Sequence, residues 1–128
     1  MNRLHYNRLW SLLGILGLAL ILTLSILPPS GGEAFVKIND KLAHFIAYFF
    51  AAFYYKQIGN KILSVFLSLL IFGGAIEILQ FFSVYRSAEW LDLLANILGI
   101  LSGCISAKFL IPNFFRNLDT WIKKKIDY

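Results

Sequence analysis

The chain has 128 residues, of which 59% are hydrophobic and only 15% are charged, and its mean hydropathy is +0.69. Soluble domains usually carry about 25% charged residues, so the composition excludes an ordinary soluble domain and predicts one small integral membrane protein. The formal charge of +5 does not indicate nucleic-acid binding, because the basic excess lies in the predicted loops and tail.

The first apolar block, residues 9–27, is long enough to cross a membrane and is followed by Pro28 and Pro29, which cannot continue a helix. Arg3 and Arg8 precede this block, as basic residues also precede the apolar core of a signal peptide. The apolar run is longer than the usual signal-peptide core of about 7–15 residues. We therefore predict a retained helix and give cleavage the smaller weight.

Three further apolar blocks complete a predicted bundle of four transmembrane helices. Residues 62–84 and 90–111 can each cross a hydrocarbon core of about 30 Å at about 1.5 Å per residue. The second block, residues 42–55, is too short to do so, because a spanning helix needs roughly 17–25 residues. It reaches that length only as residues 39–58, which draws several polar residues into the helix.

The last segment, residues 113–128, is predicted to be a basic cytoplasmic tail that follows the transmembrane domain of residues 1–112. Phe114, Leu118 and Trp121 recur at helical spacing, and three lysines follow them. This pattern predicts a short amphipathic helix on the inner leaflet, with its lysines facing anionic lipid. A frayed basic tail is the alternative.

The distribution of Lys and Arg orients the predicted bundle. With a cytoplasmic N-terminus, nine of the 12 basic residues lie on the cytoplasmic side, as the positive-inside rule expects. We therefore predict an all-α, multi-pass membrane protein with four transmembrane helices, both termini cytoplasmic and a short C-terminal amphipathic helix. The cytoplasmic set is Arg3, Arg8, Lys56, Lys61, Lys108, Arg116, Lys123, Lys124 and Lys125, and the outer set is Lys37, Lys41 and Arg86.

Polar side chains recur at helical spacing in the last three blocks and fall at one depth near the outer side. Because lipid offers no hydrogen-bonding groups, the polar stripes should face one another. Glycines in the last stripe predict the close approach of a neighbouring helix. The stripes are Asp40, His44 and Tyr48, then Gly73, Glu77 and Gln80, then Asp92, Asn96, Gly99 and Gly103.

The charges of this outer layer do not balance. Asp40, Glu77 and Asp92 contribute −3, and Lys41 and Arg86 contribute +2. One proton on His44 would make the set neutral, so these groups should titrate as a coupled unit. His44 is the first candidate for acid–base chemistry and Glu77 is the second. Ionisable residues inside a membrane are functional by default, and the alternative is a purely structural cluster.

The order and spacing of these residues resemble the VanZ-like family. The resemblance implies a small bacterial membrane protein with several helices, and some members of the family are associated with resistance to the lipidated glycopeptide teicoplanin. It does not imply a particular reaction. The matching pattern is Asp40-Lys41-x-x-His44-x-x-x-Tyr48, then Glu77-x-x-Gln80, then Arg86, Asp92, Ala95, Asn96 and Gly99.

We therefore expect a protein of the bacterial inner membrane whose outer cluster binds or processes an anionic or amphiphilic envelope molecule. Its expected partner is a membrane lipid or a lipid-linked envelope precursor, and oligomerisation stays open. The alternatives are an intramembrane enzyme that uses His44 or Glu77 as acid or base and a proton-coupled small transporter. The predicted ligand-binding residues are Asp40, Lys41, Tyr48, Gln80, Arg86, Asp92 and Asn96.

Other residues are not assigned to this site. No cofactor or metal ion is expected, because the spacing matches no known ligand motif and Lys41 and Arg86 would repel a cation. Glu89 is interpreted as a solvated loop acid. Cys104 lies about 18 Å along its helix from the start of the polar stripe, and His5 lies on the cytoplasmic side.

Overall fold

A computed structural model describes residues 4–28 and 33–127 of the chain, without the side chains of residues 33–39. All regular structure in these ranges is helical, which confirms the predicted all-α class. The helices are α1 (Asn7–Ile26), α2 (Glu33–Gln57), α3 (Ile62–Phe81), α4 (Trp90–Ile105), which a π-helical segment (Ser106–Leu110) continues, and α5 (Phe114–Ile126).

The turns between helices follow from the residues that form them. Leu27 is extended just before Pro28, because proline disfavours the helical conformation in the residue that precedes it. Gly59 has a φ of 104° and lets the chain turn between α2 and α3. Asn113 has a φ of 64° ahead of α5, and Asn is one of the few residues that tolerate this left-handed region.

Among the described residues, three helices rather than the predicted four are long and apolar enough to cross a membrane. They are α1, α3 and α4 with its π-helical extension. The predicted helix of residues 39–58 does not qualify, although α2 itself is long. Its apolar stretch lies between Asp40, Lys41 and His44 at one end and Lys56 at the other. This stretch is shorter than the roughly 17–25 residues that spanning requires.

α2 lies in the middle of the bundle and contacts every other helix. Its most extensive contact is with α4, where two glycines remove the side chains that would hold the helices apart. A Cβ atom on Gly99 would lie 2.5 Å from the carbonyl oxygen of Phe45, and one on Gly103 would overlap the carbonyl oxygen of Phe49. The predicted close approach along this glycine stripe is confirmed.

Polar contacts concentrate at the two ends of the bundle, with an apolar core between them. One end, which contains Ser25, Asp40 and Arg86, is called the cluster end. The opposite end, which contains His5 and Asp119, is called the tail end. The core joins α2, α3 and α4 through Tyr48, Ala52, Val65, Leu69, Ile100 and Cys104.

α5 is fixed at the tail end by a buried carboxylate. Asp119 is 1% exposed, and its Oδ2 accepts the backbone N–H of His5 at 2.7 Å and lies 2.9 Å from the Nδ1 of the same residue. Its Oδ1 accepts the backbone N–H of Tyr6 at 3.1 Å and the indole N–H of Trp10 at 2.8 Å. Burial opposes ionisation, but these hydrogen bonds prevail and lower the pKa of Asp119 from 3.8 to about 2. The predicted tail helix is therefore present and is tied to the start of α1.

Candidate functional site

All nine predicted site residues lie at the cluster end, on three helices and one loop. The start of α2, the end of α3 and the start of α4 meet there, as the alternating helix directions predict. The loop between α3 and α4 contacts them through Arg86 and Glu89. In chain order the residues are Asp40, Lys41, His44 and Tyr48 on α2, Glu77 and Gln80 on α3, Arg86 in the loop, and Asp92 and Asn96 on α4.

Arg86 joins α1, α2 and the loop through its guanidinium group. Its Nη1 donates to Oδ1 of Asp40 at 2.5 Å. Its Nε and Nη2 donate to the carbonyl oxygens of Leu27 at 3.2 Å and Leu24 at 3.4 Å. These carbonyls lie at the C-terminal end of α1, where a cation also meets the negative end of the helix dipole. Arg86 therefore directs three of its five N–H donors to the protein itself.

Lys41 links the start of α2 to the start of α4. Its Nζ lies 2.7 Å from Oε2 of Glu89 and 3.6 Å from Oδ1 of Asp92. The backbone N–H of Glu89 donates to Oε2 of Glu77 at 3.2 Å. The interpretation of Glu89 as a solvated loop acid is therefore wrong, since its side chain is only 29% exposed and belongs to the cluster.

His44 is buried between a carboxylate and an amide. Its Nε2 lies 4.0 Å from Oδ2 of Asp40, one helical turn away. Its Nδ1 lies 2.9 Å from Oδ1 of Asn96, so Nδ1 donates to this oxygen and Nε2 of the neutral ring presents a lone pair. The ring of Tyr48 stacks parallel to the imidazole, with 6.4 Å between centroids and 6° between planes. His44 thus has a fixed orientation, with Nε2 directed toward Asp40.

Glu77 and Gln80 bring α3 to the cluster through separate contacts. Gln80 Nε2 donates to the carbonyl oxygen of Ser25 at 2.9 Å, which ties α3 to α1. Glu77 receives the loop N–H described above. In the described ranges, the two acid–base candidates, His44 and Glu77, lie in one cluster but share no hydrogen bond.

Five buried polar atoms of the cluster have no hydrogen-bond partner in the described part of the protein. Three are oxygens that accept hydrogen bonds: Oε1 of Glu77, Oε1 of Gln80 and Oδ1 of Asp92. The others are the donor Nδ2 of Asn96 and the hydroxyl of Tyr48, which can donate and accept. An unpaired buried polar group costs about 1–3 kcal/mol. Acceptors therefore exceed donors in a place suited to water, an ion or a ligand.

Exposure divides most of the cluster into a rim and a floor. In the rim, the side chains of Asp40, Lys41 and Glu89 are 21%, 32% and 29% exposed. The floor is almost completely buried, with His44 the most exposed of its members at 6%. A molecule that approaches this end of the bundle meets the charged rim first. The floor consists of His44, Tyr48, Gln80, Asp92 and Asn96.

The structure also changes the charge balance of the cluster. The sum of −1 expected from the sequence leaves out Glu89, which the fold brings into contact with Lys41. The carboxylates of Asp40, Glu77, Glu89 and Asp92 now accompany Lys41 and Arg86, so the formal charge is −2 when all four acids are ionised and His44 is neutral. The charge deficit and the unpaired acceptors both favour a ligand that brings positive charge or hydrogen-bond donors.

Comparison with known proteins gives one match. A family model described as VanZ/LLP1 matches residues 13–115, a range that includes the whole rim and floor. No curated protein and no solved structure matches the chain.

Proposed function

The chain belongs to the VanZ/LLP1 family, and we propose that it is a bacterial envelope membrane protein whose polar cluster receives the head group of an amphiphilic molecule. The cluster lies at one end of the bundle, the level at which head groups are found. Its partly exposed rim offers a way in. Because some VanZ-like proteins are associated with teicoplanin resistance, a lipidated glycopeptide and a lipid-linked envelope precursor are the first ligands to test.

In this proposal the cluster end faces outward from the cytoplasmic membrane, and both termini are cytoplasmic. The basic residues support this orientation, because nine of 12 then lie on the cytoplasmic side. α2 crosses the membrane together with the three more apolar helices. Its contacts with α1, α3 and α4 shield its polar residues from lipid, and intramembrane ionisable residues normally face the interior of a bundle.

The observation that carries the proposal is the excess of unpaired acceptor oxygens beneath the rim. A head group with hydroxyl or ammonium donors would pair with Glu77, Gln80 and Asp92, whereas an anion alone would repel them. Of the anionic or amphiphilic ligands expected from the sequence, the unpaired acceptors therefore favour an amphiphile that carries hydrogen-bond donors. Any phosphate or carboxylate of the same molecule would meet Lys41 at the rim.

Tyr48 provides a test that separates binding from packing. Its hydroxyl is buried and unpaired, so Tyr48→Phe removes no hydrogen bond from the free protein and should leave its stability unchanged or raise it. If the hydroxyl contacts the head group, the variant should bind about 5- to 10-fold more weakly, since one hydrogen bond contributes about 1 kcal/mol. Teicoplanin and a lipid-linked peptidoglycan precursor would each be titrated against the protein in nanodiscs.

The matched control is Tyr54→Phe in the same helix. Its hydroxyl donates to the carbonyl oxygen of Trp10 at 2.6 Å, at the tail end. This substitution should lower the free energy of unfolding by about 1 kcal/mol and leave binding unchanged. Equal binding by wild type and Tyr48→Phe, or no binding of either ligand by the wild type, would contradict the proposal.

A second candidate function is an intramembrane enzyme that acts on a lipid-linked head group. The observation in its favour is the position of the His44 imidazole, whose Nε2 lies 4.0 Å from Oδ2 of Asp40, where it could act as a general base. Conversion of the precursor that is lost in His44→Gln would favour the enzyme. Binding without any product would favour the binding protein.

A further inference from the structure

We propose that Asp40, His44 and Asp92 form a binding site for one divalent transition-metal ion. One ligating atom from each residue lies within 4.8 Å of the other two. Donor atoms on a single first-row ion lie roughly 3–4 Å apart, because each metal–ligand bond is about 2.0–2.2 Å long. Displacements of about 1 Å by side-chain rotation would therefore bring the three atoms onto one ion.

The orientation of His44 is the one that a metal ligand needs. Oδ1 of Asn96 accepts a hydrogen bond from Nδ1, 2.9 Å away, so in the neutral ring the lone pair is on Nε2, which lies 4.0 Å from Oδ2 of Asp40. Histidines that bind metals usually donate their second ring N–H to an oxygen in this way, which fixes the tautomer and the ring. Asn96 is therefore a positioning residue for the site.

Asp92 gives an independent indication that a ligand belongs here. Its side chain is 1% exposed, and its Oδ1 has no hydrogen-bond partner in the described ranges. The ammonium group of Lys41 lies 3.6 Å from this oxygen, beyond hydrogen-bond distance, so a cation bound directly to the oxygen would further stabilise the buried charge. The cluster as a whole has a net charge of −2 with neutral His44, which one divalent cation would balance.

The two basic residues leave room for this ion, contrary to the expectation from sequence. Arg86 pairs with Oδ1 of Asp40, which leaves Oδ2 directed toward His44. Lys41 lies 2.7 Å from Glu89 but 3.6 Å from Asp92. The ammonium group of Lys41 can stay paired with Glu89 while the carboxylate of Asp92 rotates toward the metal ion.

The donor set indicates which ions fit. One imidazole nitrogen and two carboxylate oxygens suit Zn²⁺ or Mn²⁺ better than Ca²⁺ or Mg²⁺, which favour oxygen ligands alone. Three protein ligands leave at least one position open, as in catalytic zinc sites. That position could accept water or an oxygen of a bound molecule. Binding of this ion is separate from head-group recognition and can be measured without teicoplanin or a lipid-linked precursor.

The test uses the full chain in nanodiscs of zwitterionic lipid, titrated with Zn²⁺ by calorimetry after removal of bound metal with a chelator. We expect one ion per chain, and roughly 10- to 100-fold weaker binding in His44→Gln, in Asp92→Asn and in the positioning variant Asn96→Leu. His5→Gln is the matched control, because it removes the other histidine at the opposite end and should bind Zn²⁺ as the wild type does.

A spectroscopic measurement on the wild type keeps the inference testable if a variant fails to fold. Bound Mn²⁺ should show coupling to one imidazole nitrogen in electron spin-echo modulation, and His5→Gln should retain it. Zn²⁺ binding that is equal in wild type and His44→Gln, or Mn²⁺ without nitrogen coupling, would overturn the site. Either result would leave the amphiphile proposal to its own binding experiment with Tyr48→Phe.

Discussion

Arg86 contacts the protein itself with most of its hydrogen-bond donors. The sequence predicts Arg86 as one of the ligand-binding residues, but its guanidinium group donates to Asp40 and to carbonyl oxygens at the end of α1. Its side chain is only 13% exposed. It therefore orients Asp40, and Lys41, which is 32% exposed, is the better candidate to meet an anionic group.

Asp119 is the residue whose loss should most disturb the tail end. Both carboxylate oxygens accept hydrogen bonds, so Asp119→Asn would place an NH₂ group against N–H donors of His5, Tyr6 or Trp10. The cost of buried donors left without acceptors is about 1–3 kcal/mol. We expect the free energy of unfolding to fall by that amount. Thermal unfolding in detergent, followed by circular dichroism, would measure it.

The low pKa of Asp119 also predicts how stability depends on pH. Because folding lowers this pKa from 3.8 to about 2, the stabilisation is complete above pH of about 4 and is lost as the pH falls toward 2. Its size is about 2 kcal/mol. Asp127→Asn removes an exposed acid near the end of the same helix and should keep the acid-sensitive step. The assignment fails if Asp119→Asn loses stability over this pH interval as steeply as the wild type.

At the scale of elements, the contact between α2 and α4 should be the one least tolerant of added volume. A Cβ at Gly103 meets backbone atoms of Phe49 and the side chain of Ala52 at 3.1 Å, so Gly103→Ala must separate the helices. We expect a loss of roughly 1–3 kcal/mol. Gly17→Ala on α1 meets nothing within 4 Å and should be neutral or slightly stabilising. Unfolding in SDS would compare them, and equal shifts would argue against the packing.

Helical periodicity predicts this packing because spacing alone decides which side chains share a face. The stripe from Asp92 to Gly103 could therefore be assigned before its partner helix was known. Periodicity fails where a partner comes from an irregular loop or a distant helix. Glu89 lies in a loop without a repeat, and Asp119 pairs with His5, 114 positions away. Neither contact leaves a local pattern in the sequence.

The number of membrane-spanning helices also depends on how each helix packs against its neighbours, which the sequence of a single helix does not show. α2 is too polar to meet the requirement of length and composition that α1, α3 and α4 meet. Yet it contacts all three of these helices, and its polar residues face the cluster. A helix in this central position needs less apolar surface than one that faces lipid, because its neighbours supply its surroundings.

Whether α2 crosses the membrane decides the topology of the whole molecule, and two exposed loop positions distinguish the possibilities. Ser87 lies in the loop at the cluster end and Asn60 in the loop at the tail end, and both are exposed. Each would be changed to Cys in a Cys104→Ala background, which leaves every basic residue in place.

If the N-terminus is cytoplasmic and all four helices cross, an impermeant maleimide should label Ser87→Cys in intact cells and Asn60→Cys only after lysis. If α2 stayed on the outer side, α3 and α4 would each cross in the opposite direction and the labelling would be reversed. Labelling of Asn60→Cys alone in intact cells would therefore contradict the proposed topology, since three crossings and an inverted bundle of four crossings both place the loop of Arg86 in the cytoplasm.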